Sequence, residues 1–348
     1  MKERNIKIDI LKGFAIILMM IGHITQYSID GIVDCFNNEL FIFIYSFHMP
    51  LFALISGFLF YKSKDKPLKE LFFNKARTLL YPILIIAIIE FYAWRFLEAF
   101  KGNISPLFSA GWIDNLNGYW FLWSLFASMF IVIIVEKLIK FKYKSFLYIL
   151  LIPLLYFFPN GDYNFFIYVF FLIGYTFNIY KDKISHIHWL KYLKYCFLII
   201  FPLLFITWKR DFLVYVTGMV PTRLDMLPHQ LYCDFFRLIF GLSGTIFIIC
   251  IVDIILKILN KKSKIIQFLS IIGQKSLQIY IIQRIVIEFL FNLMCKQLYR
   301  FNIFFYIYSN NYILYTFITL SSIICVYSSF KIMKLIDRLN ISKYLFGR

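Results

Sequence analysis

Of the five histidines in the chain, His23 and His48 fall inside stretches that otherwise want lipid. An imidazole there is expensive, and ionisable groups kept inside membranes usually face the bundle interior or a wet cavity. The chemistry on offer is proton transfer at near-neutral pH, or direct attack on a carbonyl. His48 sits in YSFHMPLFALISG, two residues before Pro50. That proline removes one backbone hydrogen bond and frees a carbonyl near Ser46, which is tolerated where other groups or water take up the bond. A lone buried histidine is more often a satisfied core group than a catalyst. Two of them, on neighbouring spans with little other polarity, shift the balance toward chemistry.

The remaining intramembrane charges are few. Asp9 and Lys12 share the first span with His23, Glu90 lies in the third, Asp234 and Arg237 in the eighth, and Lys275, Arg284 and Glu288 in the ninth. Lys12 and Lys275 lie near span ends and snorkel. Asp234 with Arg237, and Arg284 with Glu288, are spaced as helix salt bridges. In the basic stretch KSKDKPLKELFFNKAR, Lys75 and Arg77 stand at the start of the third span, at a depth suited to phosphate groups, although membrane anchoring explains most of that charge. Walker, GxGxxG, GxSxG and HExxH motifs are absent, so nucleotide hydrolysis and the standard hydrolase arrangements lack support.

These residues must be held by membrane helices. The 348 residues are 61% hydrophobic and 21% aromatic, with only 16% charged, which is the composition of a chain dissolved in a bilayer. Apolar runs predict about ten spans near 8–28, 39–60, 78–100, 118–137, 145–158, 165–180, 194–209, 231–256, 270–294 and 311–332, the fifth and sixth being short. The expectation is one all-α, polytopic membrane helix bundle over residues 1–348, with no soluble appended domain. The basic lead KERNIK, with no small-residue cleavage site behind it, reads as a retained anchor.

A formal net charge of +18 invites a nucleic-acid reading. Its distribution argues otherwise: with the N-terminus inside, 26 of the 37 Lys and Arg fall in cytoplasmic segments and seven in external loops. That is the positive-inside asymmetry, and it puts both termini in the cytoplasm. A nucleic-acid footprint would cluster on one surface. The partners expected are membrane lipid and membrane-borne substrates, with no nucleic acid. By helix rise, His48 lies about 15 Å and His23 about 7–8 Å below the outer face, so the two suit one cavity in the outer half. The six cysteines show no metal spacing; Cys35 and Cys233 both map outside, which leaves a disulfide between them open without arguing for one.

In RNIKIDILKGFAIILMMIGH and SFHMPLFALISG the chain resembles the membrane-bound acyltransferase-3 family, which includes sugar and polysaccharide O-acetyltransferases. The matching residues are Arg4, Asp9, Lys12, Gly13 and His23, then Phe47, His48, Pro50, Phe52, Ser56 and Gly57. Lys75, Arg77 and Pro82 follow the family's basic-then-proline pattern, Trp120, Phe121 and Leu122 its WFL element, and Gly273, Ser276, Leu277 and Tyr280 its late element. Two positions depart from many relatives: Gln283 stands where a histidine is common, and Trp123 where a proline is.

The resemblance implies O-acyl transfer, typically of acetyl, from cytosolic acetyl-CoA or another acyl-CoA to a hydroxyl of a surface glycan or its lipid-linked precursor. Acyl-CoA enters as a substrate, with no permanently bound cofactor and no metal. The setting implied is a bacterial cytoplasmic (inner) membrane. On this reading Arg4, Lys75 and Arg77 hold the CoA phosphates, His23 is the general base, and His48 orients the acceptor or steadies the oxyanion. An acyl-histidine is a second route. Asp9, Lys12, Ser276 and Tyr280 support the site. Asp9 lies about 21 Å from His23 along one helix, so Glu90 is the carboxylate favoured by depth. The alternative function is a transporter or flippase for a lipid-linked glycan.

Overall fold

Runs of about twenty apolar residues satisfy their own backbone in a bilayer only by coiling, and they do so here. The structure is a computed structural model and describes residues 5–30, 34–100, 112–138, 144–219, 223–301 and 303–347; no strand occurs among them. Among the described residues, eight helical stretches are long and apolar enough to cross a membrane: α1 (Ile6–Ile29), α2 (Glu39–Ser63), α3 (Leu68–Phe96), α4 (Trp120–Lys137), α5 (Gly161–Ser185), α7 (Leu224–Ile258), α9 (Ser276–Arg300) and α10 (Asn311–Arg338). Between them lie the shorter α6 (Phe197–Phe205) and α8 (Lys264–Gln274). The protein is an all-α polytopic bundle. Two of the ten expected spans are short helical pieces, around Phe146–Phe157 and α6. Each carries a proline, Pro153 and Pro202, which lacks the amide that would continue a regular ladder. Side chains such as Leu320, Ile323 and Ile324 of α10 are exposed, as lipid-facing residues are.

The chain forms two compact units, residues 1–52 with 182–336, and residues 53–181 with 337–348. In the first, α1 packs chiefly on α8. The crossing is so close that a Cβ on Gly13 would overlap the Leu269 carbonyl, and one on Gly273 the Asp9 carbonyl. Small residues are what allow two membrane helices to approach backbone to backbone. At one end of this unit Lys7 and Lys194 both pair with Asp253. At the other, Asp34 pairs with Arg210, and Asp211 with His229. Each contact joins segments that the charge asymmetry assigns to one side of the membrane.

In the second unit, the later part of α2 crosses α5, with Gly57 against Phe171 and Gly174 against Leu54. Gly57 and Gly174 thus let the two helices approach backbone to backbone. Buried polar groups are satisfied locally: Ser124 donates to Asn164 at 2.7 Å, and Tyr148 and Tyr175 both donate to Glu136. Tyr81 donates to the Tyr344 carbonyl at 2.9 Å.

Candidate active site

The second span does not run straight through. Its helix stops at Tyr45 and restarts at His48, with a turn at Ser46-Phe47, one turn before Pro50. Proline cannot donate to the Ser46 carbonyl, so the ladder breaks where the sequence predicts it. His48 fills part of the gap: its Nδ1–H donates to the Ile44 carbonyl at 2.8 Å. A carbonyl only accepts, so the bond fixes the tautomer and leaves the lone pair on Nε2. The ring is fully buried, and Nε2 has no hydrogen-bond partner. Phe47, beside it, packs so closely on Gly244 of α7 that a Cβ there would come within 2.5 Å.

His23 lies one turn and a half before the end of α1, with Gln26 and Tyr27 on the same face, three and four residues on. Its Nδ1 is 3.4 Å from Gln26 Oε1 and 3.3 Å from the Tyr45 hydroxyl. The Gln26 oxygen only accepts, so it favours a proton on Nδ1; Tyr45 can accept or donate. Nε2 then carries the free lone pair, and it makes no hydrogen bond among the described residues. Tyr27 stacks on the ring at 6.5 Å between centroids. Tyr45 meets His23 edge-on at 6.1 Å and His48 at 4.7 Å. The two histidines are therefore joined through a single tyrosine.

The carboxylate that acts electrostatically on His23 is Glu288, with the Arg284 guanidinium opposing it. Both come from a π-helical stretch of α9, Arg284–Phe291, that packs against α1. Such wide turns recur at functional sites. Arg284 Nη1 and Glu288 Oε2 are 3.1 Å apart, and Gln283 donates to Glu288 Oε1 at 3.2 Å. Gln283 is buried, and its own Oε1 has no partner. The expected i,i+4 pair is present, and it also serves as His23's charged neighbour. Sequence reasoning read Glu288 as only a helix salt bridge, and it passed over Tyr45, Gln26 and Tyr27. The available signal was spacing: three and four residues after His23, and three before His48.

Other candidate residues have their own contacts within each unit. Glu90, the carboxylate favoured by depth, belongs to the second unit and accepts from Tyr119 at 2.8 Å. Tyr119 is buried. Lys75 lies over the Phe60 ring at 5.4 Å, and Arg77 sits in a π-helical turn of the same unit. Asp9, Ser276 and Tyr280 are buried in the first unit, with Asp9 at the α1–α8 crossing. Lys12 lies one turn along from Asp9. Arg4 lies outside the described residues. Asp234 pairs with Arg237 at 2.6 Å. Arg237 also donates to the carbonyls of Asp211, Phe212, Leu213 and Gly218, which ties that loop to α7. All six cysteines are free, Cys35 and Cys233 included. No group of three His, Cys, Asp or Glu among the described residues is placed to hold a metal ion.

Comparison with known proteins supplies the family. The acyltransferase-3 profile, described as an acyltransferase domain, matches residues 5–330. The chain is similar to nodulation protein NolL of Mesorhizobium japonicum, 32% identical over 139 residues, 37% of this chain and 35% of that protein. It is also similar to nodulation protein NolL of Sinorhizobium fredii, 36% identical over 132 residues, 36% of this chain and 35% of that protein. The chain thus spans about a third of the length of these relatives. No solved structure matches it. With a family profile covering nearly its whole length, the chain belongs to the acyltransferase-3 family, and its apolar helices make it a multi-pass membrane protein.

Proposed function

We propose that the protein moves an acetyl group from cytosolic acetyl-CoA to a hydroxyl of a cell-surface glycan or its lipid-linked precursor, in a bacterial cytoplasmic membrane. The observation that carries this reading is His23: Nδ1 is held by Gln26 and Tyr45, Nε2 is free, and a carboxylate stands near. That is the equipment of a general base. Nε2 takes the hydroxyl proton as the sugar oxygen attacks the thioester carbonyl. A C–O bond forms, the C–S bond breaks, and the proton passes from His23 to the departing CoA sulfur. While the ring is charged, its Nδ1–H is steadied by Gln26 and Tyr45, and Glu288 balances the charge.

His48 in its present tautomer offers a lone pair at Nε2, so it accepts from a hydroxyl and orients the acceptor. Steadying an oxyanion needs a donor, which this atom supplies only when protonated. Orientation is therefore the role proposed for it. Lys75 and Arg77 of the second unit are proposed to take CoA phosphates at the cytoplasmic side, as forked and point cations do. Both termini are placed on that side by the charge asymmetry.

The test uses membranes containing the wild type or His23→Ala at matched protein level, supplied with acetyl-labelled acetyl-CoA and the source cell's glycans. Alkali-labile label on glycan with the wild type alone is the expected result. Label with both proteins removes His23 as the base. Label with neither, across several acyl-CoAs, removes the acetyl transfer and favours glycan movement without modification.

A further inference from the structure

A cavity of about 390 Å³ opens at the outer end of α1, between it and the last turns of α9. Its size is in the range of about 300–1,000 Å³ that holds small ligands. Cys295 lines it together with Tyr27, Asp30, Asn292, Lys296, Tyr299 and Arg300, and those six side chains all carry strong hydrogen-bonding groups. Tyr27 connects the cavity to the site, because the same ring stacks on His23. Four residues of helix separate the two, about 6 Å along the axis. A molecule in the cavity therefore lies one helical turn outward of the base. That is where the rest of an acceptor sits when one of its hydroxyls is at His23 Nε2.

The charge of the cavity sets the class of ligand. Lys296 and Arg300 are one turn apart on α9, and neither forms an ion pair among the described residues. Asp30 shares the cavity without pairing to either cation. Two cations left open against one carboxylate favour an anion. Arg300 offers a fork that matches carboxylate or phosphate, and Lys296 a point charge. Tyr27 and Tyr299 give flat faces for a sugar ring, while Asp30 and Asn292 accept from its hydroxyls.

We propose that this cavity is the acceptor subsite and that it selects a saccharide bearing an anionic group, a carboxylate or a phosphate. The proposal rests on the acyl-transfer reading above. Cations at a helix end also reach toward lipid headgroups, so the same chemistry has a second source that the test must separate.

The experiment uses the full chain in nanodiscs of zwitterionic lipid, with acetyl-labelled acetyl-CoA. Surface glycans of the source cell are divided by anion exchange into neutral and anionic pools. Part of the anionic pool has its carboxylates reduced to alcohols and its phosphomonoesters removed. The expected result is label in the anionic pool, falling at least tenfold in the neutralised portion. Lys296→Gln with Arg300→Gln should raise KM for the anionic pool at least tenfold, with kcat within twofold. Both positions are exposed, and Lys296→Gln alone carries the same KM test if the double variant accumulates poorly. Equal labelling of neutral and anionic pools, or an unchanged KM in the variants, overturns the proposal. So does activity that follows the lipid charge of the nanodisc and ignores that of the acceptor. Label in no pool overturns the acyl-transfer reading beneath it, which is a distinct outcome.

Discussion

The Tyr45 hydroxyl stands 3.3 Å from His23 Nδ1, although 22 positions separate the residues in the chain. The same ring lies edge-on to His48, so one side chain sets the distance between the two histidines. Tyr45→Phe keeps the ring and removes the hydroxyl. A hydrogen bond of this kind is worth about 1 kcal/mol net, and about 1–2 kcal/mol of lost positioning corresponds to roughly 5–30-fold in rate. The expected outcome is a fall of that size in kcat, with protein level unchanged and KM for acyl-CoA unaffected. Steady-state kinetics in matched membranes checks it.

Glycines in this unit divide by what a side chain would meet. At Gly22 a Cβ would come within 2.7 Å of the Tyr45 ring, a side chain that can swing away. At Gly273 it would overlap the Asp9 backbone, which cannot. Gly22→Ala should therefore fold and lose activity by displacing Tyr45, much as Tyr45→Phe does. Gly273→Ala should lose stability by about 1–3 kcal/mol or more from overpacking and accumulate poorly. Thermal unfolding in detergent, read beside activity, separates the two behaviours.

The spans were legible because lipid imposes one solution on long apolar runs. The break before Pro50 was legible too, since a missing amide has a local consequence. His23 and His48 stood out because an imidazole in lipid is costly. Glu288 did not, because its i,i+4 spacing to Arg284 already accounted for it within one helix. Its nearness to His23 depends on how α9 packs on α1, and the π-helical stretch that turns it there leaves no mark in apolar periodicity. Glu90 was favoured by depth alone, and depth does not identify which side chain meets a carboxylate. Its partner is Tyr119, in the other unit.

Cys35 provides a probe outside the spans. Burial, and then the carboxylates of Asp34 and Asp30, push its thiol up to about 11. The reactive form is the thiolate, so at pH 8 only about 0.1% of this thiol reacts. In a variant with Cys196, the exposed cysteine, changed to Ser, maleimide labelling should rise about tenfold per pH unit from pH 7 to 9. Asp34→Asn removes a charge that raises the value and keeps a side-chain oxygen as cap, so labelling at fixed pH should quicken a few-fold. A rate flat with pH would show that access, not ionisation, governs the thiol.

His48 does two jobs with two nitrogens, and they can be separated. His48→Asn retains an amide donor for the Ile44 carbonyl and deletes the atom at the Nε2 position. His48→Ala deletes both and leaves that carbonyl without its side-chain partner in a buried place. The Asn variant should fold close to normally yet lose activity about 10²–10⁴-fold, the span expected for a proton-handling side chain. The Ala variant should lose stability as well, by about 1 kcal/mol for the lost hydrogen bond, since the Phe47 N–H still reaches the Ile44 carbonyl at 3.3 Å. Full activity in the Asn variant would reduce His48 to a cap for the broken helix.

Arg284 and Glu288 give the sharpest separation of structure from chemistry. The pair is largely buried, and removing one partner leaves the other charge without compensation, at a cost of about 3–5 kcal/mol. Glu288→Gln or Arg284→Gln alone should therefore depress the unfolding temperature and the protein level. Changing both to Gln removes the uncompensated charge, so most of that stability should return. Activity should not return with it if Glu288 balances the charge that His23 acquires. A double variant with both stability and rate restored would make the pair purely structural and leave His23 to act with Gln26 and Tyr45 alone.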